Sequence, residues 1–385
     1  MKGFARDNYI RYKRRRKRLK GKEYMQEKTR QLAAQKEITN QGEKWTFSAM
    51  IILLFIVSLG SIILSIGIGP VAVAPLAVAK IMLHKLPVVQ AYIQMDWTPL
   101  EENIVWVLRL PRVALGMIVG ASLAAAGVAM QALVRNTLAD PFILGVSAGA
   151  SATATLGMLF GVFSFLGSYS LSISAFIGAA ISTALVYYMA KVKGKINIAQ
   201  LLLTGVAVSM IMDAVTKIIT LSAPNALGLH NAAFWMSGSL AGAKWAYLKF
   251  PLIVIIICMI ILLAYYRVLN VLLLGEEAAG TLGISVERVQ KLLIIICSLL
   301  VGVTISVSGS IGFVGLMVPH VTRLLVGSNN KRVLPVSALL GGILVVWTDV
   351  AARMAIAPEE LPIGILTALV GGPFFIWLLR KNAKS

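Results

Sequence analysis

Two cysteines in 385 residues exclude a disulfide framework. Cys258 and Cys297 lie about 39 residues apart in the middle of apolar runs, without metal-ligand spacing, and read as small buried hydrophobes. Charge is scarce as well. Asp, Glu, Lys and Arg make up 14% of the chain, where a soluble domain carries about 25%. No Gly-x-x-x-x-Gly-Lys-Ser/Thr phosphate loop is present. The run Gly309-Ser-Ile-Gly-Phe-Val-Gly315 has the glycines but no lysine, and it joins two apolar segments rather than a strand to a helix. No Gly-x-Ser-x-Gly elbow with a plausible triad occurs either. The N-terminus lacks a secretory signal, because its basic region is too long and no small-x-small site ends the first apolar run.

What is abundant is apolar sequence. Hydrophobic residues make up 58% and the mean hydropathy is +0.83, the composition of a chain whose solvent is mostly lipid. Ten apolar segments follow a basic leader. They run about 45–67, 110–134, 142–163, 169–190, 198–221, 249–266, 289–307, 311–326, 333–354 and 363–380. An apolar piece at 231–242 is too brief to cross, and 70–108 holds only a short amphipathic stretch. The expected fold is therefore an all-α polytopic membrane protein with about ten transmembrane helices. Two regions are expected: a basic extension over 1–44 and a ten-helix domain over 45–385.

Of the formal net charge of +20, half sits in residues 1–44, where 15 basic side chains face 5 acidic ones. The remaining cations sort by loop. With the N-terminus inside, the inside loops carry Arg135; Lys191, Lys193 and Lys195; Arg267 and Arg288; Arg323, Lys331 and Arg332; and Arg380, Lys381 and Lys384. The outside loops carry Asp96, Glu101, Glu102, Glu359 and Glu360. The bias agrees at every inside loop and places both termini in the cytoplasm. The tail has few aromatics for base stacking, so it reads as a topology anchor near anionic membrane lipid, with no nucleic-acid partner.

Several residues break the pattern. Arg109, Arg112 and Arg353 stand at the outer ends of spans two and nine. They read either as snorkelling anchors and internal pairs, such as Asp349–Arg353, or as a basic rim suited to an acidic partner. Asp213 and Lys217 lie four apart inside span five, as a self-satisfied pair or as the lining of a polar pathway. His84, His230 and His320 have no second ligand nearby, so no metal site is expected. The largest inside loop, 267–288, contains Leu274-Gly-Glu-Glu-Ala-Ala-Gly-Thr-Leu-Gly-Ile-Ser-Val286. Glycines at 275, 280 and 283 punctuate it, and a short helix between glycine turns suits docking in a groove of a soluble partner.

The chain resembles the FecCD-type permeases of the vitamin B12, haem and ferric siderophore importers. The resembling stretches are Arg109-Leu-Pro-Arg112, Gln131-Ala-Leu-Val-Arg-Asn-Thr-Leu-Ala-Asp-Pro-Phe-Ile-Leu-Gly-Val-Ser-Ala-Gly-Ala150, Leu201-Leu-Leu-Thr-Gly-Val206 and Trp235-Met-Ser-Gly-Ser-Leu240. They continue with Leu274-Gly-Glu-Glu277, Gly309-Ser-Ile-Gly-Phe-Val-Gly-Leu-Met-Val-Pro-His320, Glu360-Leu-Pro-Ile-Gly364 and Gly372-Pro-Phe-Phe-Ile-Trp377. The resemblance implies the type II ABC importer permease fold, in a bacterial cell membrane. It implies a second permease subunit (a copy or a paralogue), two cytoplasmic ABC ATPases that bind ATP and Mg, and an extracellular substrate-binding lipoprotein. It implies that Arg109, Arg112 and Arg353 receive acidic residues of that binding protein. The ATPase would be coupled through Leu274, Gly275, Glu276, Glu277, Ala279, Leu282 and Gly283. By position, the inner gate falls at Asn136, Leu138, Asn197 and Ile198. Ferric siderophore, of the hydroxamate type, is the favoured cargo, with cobalamin and haem as alternatives. A secondary transporter with Asp213 or Asp349 as its proton site is the competing reading. The purified chain alone is expected to release no phosphate from ATP; turnover above a detergent blank, without any partner, contradicts the reading.

Overall fold

The computed structural model describes residues 47–192 and 194–382. The basic extension over 1–44, together with Lys193 and Lys384, lies outside the described residues. Phe47–Leu53 form the first turns of α1, and residues 54–382 form one packed unit.

The helices are α1 (Phe47–Gly67), α2 (Pro75–His84), α3 (Pro99–Glu102), α4 (Leu110–Val134), α5 (Val146–Phe160), α6 (Ser170–Met189) and α7 (Ile198–Leu221). They continue with α8 (Ala226–Met236), α9 (Trp245–Ala264), α10 (Tyr266–Leu272), α11 (Glu276–Thr281), α12 (Val286–Ser308), α13 (Val314–Val326), α14 (Asn330–Met354) and α15 (Ile363–Asn382). Among the described residues eight are long and apolar enough to cross a membrane, counting Pro99–Val134 as one. α5 and α13 have 15 and 13 residues and complete the ten expected. Segment 231–242 holds the second half of α8 and the turn after it, and α8, with 11 residues, is too short to cross, as expected.

Segment 70–108 holds more helix than its pattern suggests. Helical backbone begins at Pro99 and runs unbroken into α4 through a π-helical stretch, Asn103–Arg109. There Leu110 N donates to Val105 O, five residues back. Pro111, one residue on, has no N–H to give, and the wider turn makes room for its ring. Arg109 and Arg112 therefore lie within a 36-residue helix rather than at its end.

α4 is the axis of the packed unit, with 78% of its most apolar window buried. Its glycines set the distance to its neighbours. A Cβ on Gly120 would fall 2.0 Å from Gly341 O on α14, and one on Gly127 would fall 1.8 Å from Gly315 O on α13. Backbone touches backbone at both crossings, as small residues allow in membrane helices. Around them Leu115, Val119, Leu123 and Met130 of α4 join Leu293, Cys297 and Leu300 of α12 in the main core. A smaller cluster of Ile66, Val73, Val78, Ile81, Val105, Leu110, Val113 and Val346 ties the end of α1 to α2, α4 and α14.

Several hydroxyls inside the bundle are satisfied locally, whereas those of Ser58, Thr322 and Ser337 are buried without a partner among the described residues. Thr304 donates to Leu300 O (2.6 Å) and Thr183 to Ala179 O (2.9 Å), each one turn back. Between α12 and α13 the chain leaves the helix, with Gly309 (φ +65°) and Phe313 (φ +67°) in the left-handed region. The break is paired within the protein, since Ser239 N donates to Ser308 O at 2.8 Å.

Gly127→Ala forces α4 and α13 apart and is expected to cost about 1–3 kcal/mol. Thermal unfolding in detergent checks it. Gly60→Ala, on α1 with nothing within 4 Å of the added carbon, is the control and is expected to leave the midpoint unchanged or to raise it, since alanine is the better helix former.

Candidate functional site

One end of the bundle gathers the three arginines. Arg112 grips Asp349 with two nitrogens, Nε at 2.9 and 3.0 Å from the two carboxylate oxygens and Nη2 at 2.8 Å from Oδ1. Its Nη1 donates to Glu360 Oε1 at 2.9 Å. Asp349 also pairs with Arg353, one turn on, at 3.1 Å. Arg353 then donates to Ser65 O and Ile68 O, both at 3.1 Å. Arg109 donates to Ile66 O (2.7 Å), Gly67 O (3.3 Å) and Val71 O (2.5 Å). Two guanidiniums thus cap the carbonyls that α1 leaves unpaired at its C-terminus, where a cation also meets the negative end of the helix dipole.

The three side chains are buried, Arg353 to 3% exposure. The arginines expected to form a basic outer rim are turned inward, toward Asp349, Glu360 and the end of α1. Of the two readings, the internal pair is the one formed, with Arg112 and Glu360 added to it. The signal that Arg112 would meet Asp349 is absent locally, since the two are 237 positions apart. The network still borders open space. Pro70, Val71, Ile104, Leu108, Ala241 and Ala243 join Arg109, Arg112, Arg353 and Glu360 around a cavity of about 410 Å³.

The opposite end carries the 267–288 loop. α10 and α11 fold there, with α11 held between Gly275 (φ +117°) and Gly283 (φ +77°). Positive φ at both positions favours glycine and turns the chain out of and back into the bundle. Leu274 and Leu282 stand 73% and 65% exposed, and Glu277 is exposed beside them. Ala279 differs from expectation. It is fully buried and faces the bundle, so it supports α11 rather than presenting it. Glu276 ties α11 down, accepting from Arg135 at 3.0 Å and from Gln290 at 3.2 Å.

The four residues expected at a gate lie at this end. Asn136 Oδ1 accepts from Leu138 N (2.9 Å), closing the turn after Arg135, which ends α4 in the left-handed region (φ +58°). Asn197 caps α7, accepting from Gln200 N at 3.1 Å. Leu138 and Ile198 are half-buried. The two segments are brought together, because a Cβ on Gly205 of α7 would fall 1.9 Å from Ile143 O. Asp140, two residues after Leu138, is half-buried. Burial pushes its carboxyl up to about 6, opposed by a hydrogen bond from Phe142 N at 2.8 Å.

Asp213 and Lys217 do not form the expected pair. Both are exposed, and no ion pair joins them among the described residues. A polar contact that no local pattern announced lies deeper: Arg323 of α13 bonds Gln131 of α4, whose amide also reaches Leu316 O at 3.3 Å.

Across this architecture the sequence matches the FecCD transport family over residues 52–381. The chain belongs to the FecCD transport family. It is 42% identical over 290 residues to the vitamin B12 import permease BtuC of Vibrio cholerae, covering 75% of this chain and 86% of that one. It is 33% identical to the iron(3+)-hydroxamate import permease FhuB of Bacillus subtilis, covering 92% and 91%. A solved inward-facing ABC transporter of metal-chelate type superposes with a TM-score of 0.75 at 31% identity, covering 87% of this chain and 99% of that one. The fold is thus the type II ABC importer permease fold, and this FecCD chain is a multi-pass permease of the siderophore, B12 or haem importers.

Asp349→Asn leaves two buried guanidiniums without their carboxylate and is expected to destabilise the permease by about 3–5 kcal/mol. Arg135→Gln breaks the exposed pair with Glu276 and is expected to cost at most about 1 kcal/mol. Thermal midpoints of both variants in one detergent check the contrast.

Proposed function

We propose that this chain is the membrane-spanning subunit of an ATP-binding-cassette importer that carries a ferric siderophore, of the hydroxamate type, into the cytoplasm. The observation that carries the coupling part is α11. A bundle has no internal reason to hold Leu274 and Leu282 in water at either side of a glycine-flanked helix that Ala279 and Glu276 anchor from below. An apolar groove on an ATPase gives them one. Two such ATPases bind ATP and Mg, and a second permease, a copy or a paralogue, completes the membrane part. Both termini lie in the cytoplasm of a bacterial cell, so α11 faces inward and the arginine end faces out.

The outer cavity is the seat for a binding lipoprotein. Arg109, Arg112 and Arg353 act there from the cavity wall. Their donors are engaged by Asp349, Glu360 and α1, so they supply positive potential and a fixed surface, and Glu360 marks where an acidic group of the binding protein would compete. Asn136, Leu138, Asn197 and Ile198 surround the inner gate.

The hydroxamate cargo is supported by the Bacillus subtilis relative, which aligns with nearly the whole of both chains. Cobalamin is the second reading, favoured by the higher identity of the Vibrio cholerae relative. ATP-driven uptake into proteoliposomes holding the complete complex separates them: iron-55 hydroxamate is expected to accumulate, and accumulation of cobalamin or haem in its place reassigns the cargo. Leu282→Asp sets a charge where an apolar groove is expected. The variant should insert normally but lose ATPase co-purification and uptake; normal recovery of both removes the docking role.

A further inference from the structure

A cavity of about 270 Å³ lies between α6 and α12, at the end of the bundle that carries α11. Its wall changes character with depth. Lys291, Tyr187 and Tyr188 stand at the end near α11, and Ala180, Ala184, Ile295 and Leu299 continue inward. From Lys291 to Leu299 the wall follows eight residues of α12, about 12 Å at 1.5 Å per residue. One leaflet of the hydrocarbon core is about 15 Å deep. Ala180 and Ala184, one turn apart on α6, leave the room that larger side chains would fill. Ala180, Ala184, Tyr188, Lys291 and Ile295 are exposed, so the mouth is on the outside of the bundle, where lipid lies.

A second cation converges on the same end from another element. α6 is followed by a two-stranded hairpin, β1 (Lys191–Val192) and β2 (Lys195–Ile196), in which Lys191 pairs with Ile196. Directly paired residues share one face of a hairpin, and Ile196 is buried in the main core. Lys191 therefore stands on the bundle side of the hairpin. Its ammonium lies 4.6 Å from the Tyr187 ring centroid and 5.9 Å from that of Tyr188. The two rings meet edge to face at 5.5 Å. Cation–π contact holds the ammonium in place without neutralising it. No carboxylate pairs with Lys191, Lys195 or Lys291 among the described residues, and Glu287, one turn before Lys291, is exposed and makes no ion pair. Snorkelling takes a single lysine to the headgroups. It gives no reason for lysines of two elements to meet at the polar end of one apolar slot.

We propose that this cavity binds an anionic phospholipid, with the headgroup phosphate between Lys191 and Lys291 and one acyl chain between α6 and α12. Two unpaired ammoniums call for a net negative headgroup, and a zwitterionic lipid brings its own cation with its phosphate. The phenols of Tyr187 and Tyr188 can donate to phosphate or glycerol oxygens. The cavity of Met317, Val321, Leu340 and Trp347 between α13 and α14 is apolar throughout and offers no such choice of headgroup. α12 is the helix that α11 leads into, so a lipid held here braces the end read above as cytoplasmic. The site stands on the membrane fold and does not depend on the cargo.

The test takes the full chain in detergent, titrated with equal amounts of dioleoyl phosphatidylglycerol and dioleoyl phosphatidylcholine and read by native mass spectrometry. The phosphatidylglycerol adduct is expected to exceed the phosphatidylcholine adduct by about fivefold or more, the factor that one basic residue near an anionic headgroup supplies. Lys191→Gln with Lys291→Gln is expected to bring that ratio to within about twofold of unity. The same loss of charge in Arg380→Gln with Lys381→Gln, at the end of α15, is expected to leave most of the preference. An equal fall in both pairs, or no preference in the unsubstituted chain, overturns the site. An unchanged ratio in the lysine pair with ATPase co-purification lost gives these cations to an acidic protein surface and overturns it too. Ala184→Trp fills the slot and keeps the cations. It is expected to lower the phosphatidylglycerol adduct by about threefold or more, and excess inorganic phosphate is expected to displace none of the lipid. Unchanged binding in Ala184→Trp, or displacement by phosphate, reduces the site to a phosphate cradle and removes the lipid.

Discussion

Everything at the two ends of this bundle depends on how closely α4 approaches α13 and α14. With backbone on backbone at Gly120–Gly341 and Gly127–Gly315, the register between these helices is fixed to within a fraction of a side chain. That register sets Arg112 against Asp349 at one end and Gln131 against Arg323 at the other. A wider crossing would leave both arginines reaching into hydrocarbon without a partner, which membrane interiors do not tolerate.

The two ends are built differently. At the arginine end one carboxylate serves two guanidiniums, and those cations hold three helices by ionic and carbonyl contacts. Charge-assisted hydrogen bonds of this kind are short and directional, and shielding from water strengthens them. At the opposite end, α11 hangs between two glycines and is fastened by the half-exposed pair Arg135–Glu276, the bond from Gln290 to Glu276 and the buried methyl of Ala279. Such an end can change its angle at low cost, whereas the arginine end moves only as a block. A motion driven from α11 would therefore be expected to grow toward the α11 end and die away toward the arginines.

Hydropathy alone made the ten apolar helices legible, because their period and length are local properties. The glycines around 275–283 likewise announced α11, since a turn demands its residue type wherever it occurs. The fate of the arginines was not legible. Their place against the charge bias suggested an outward role, but the bias is compensated by Asp349 and Glu360, which meet Arg112 across 237 and 248 positions of sequence. Ala279 misled for a related reason: in a six-residue helix, one apolar residue gives no face until its neighbours are known. The i,i+4 spacing of Asp213 and Lys217 permitted a pair, but spacing cannot say that both side chains point away from the bundle. The helical lead-in from Pro99 was hidden because a π-helical stretch breaks the 3.6-residue period on which sequence patterns rest.

The capping of α1 by residues far downstream has a consequence for how the chain is assembled during synthesis. α1 enters the membrane first, and the carbonyls of Ser65, Ile66 and Gly67 then have no partner from their own helix, Gly67 O meeting only Val73 N just beyond it. Arg109 follows 43 residues after Ile66 and can close part of that end as soon as α4 inserts. Arg353 follows 288 residues after Ser65, when nearly the whole chain has been made. The first helix therefore acquires its final terminus in two stages, the second only on arrival of α14, so a ribosome that stops before Arg353 leaves behind a membrane intermediate whose oldest helix is still unfinished.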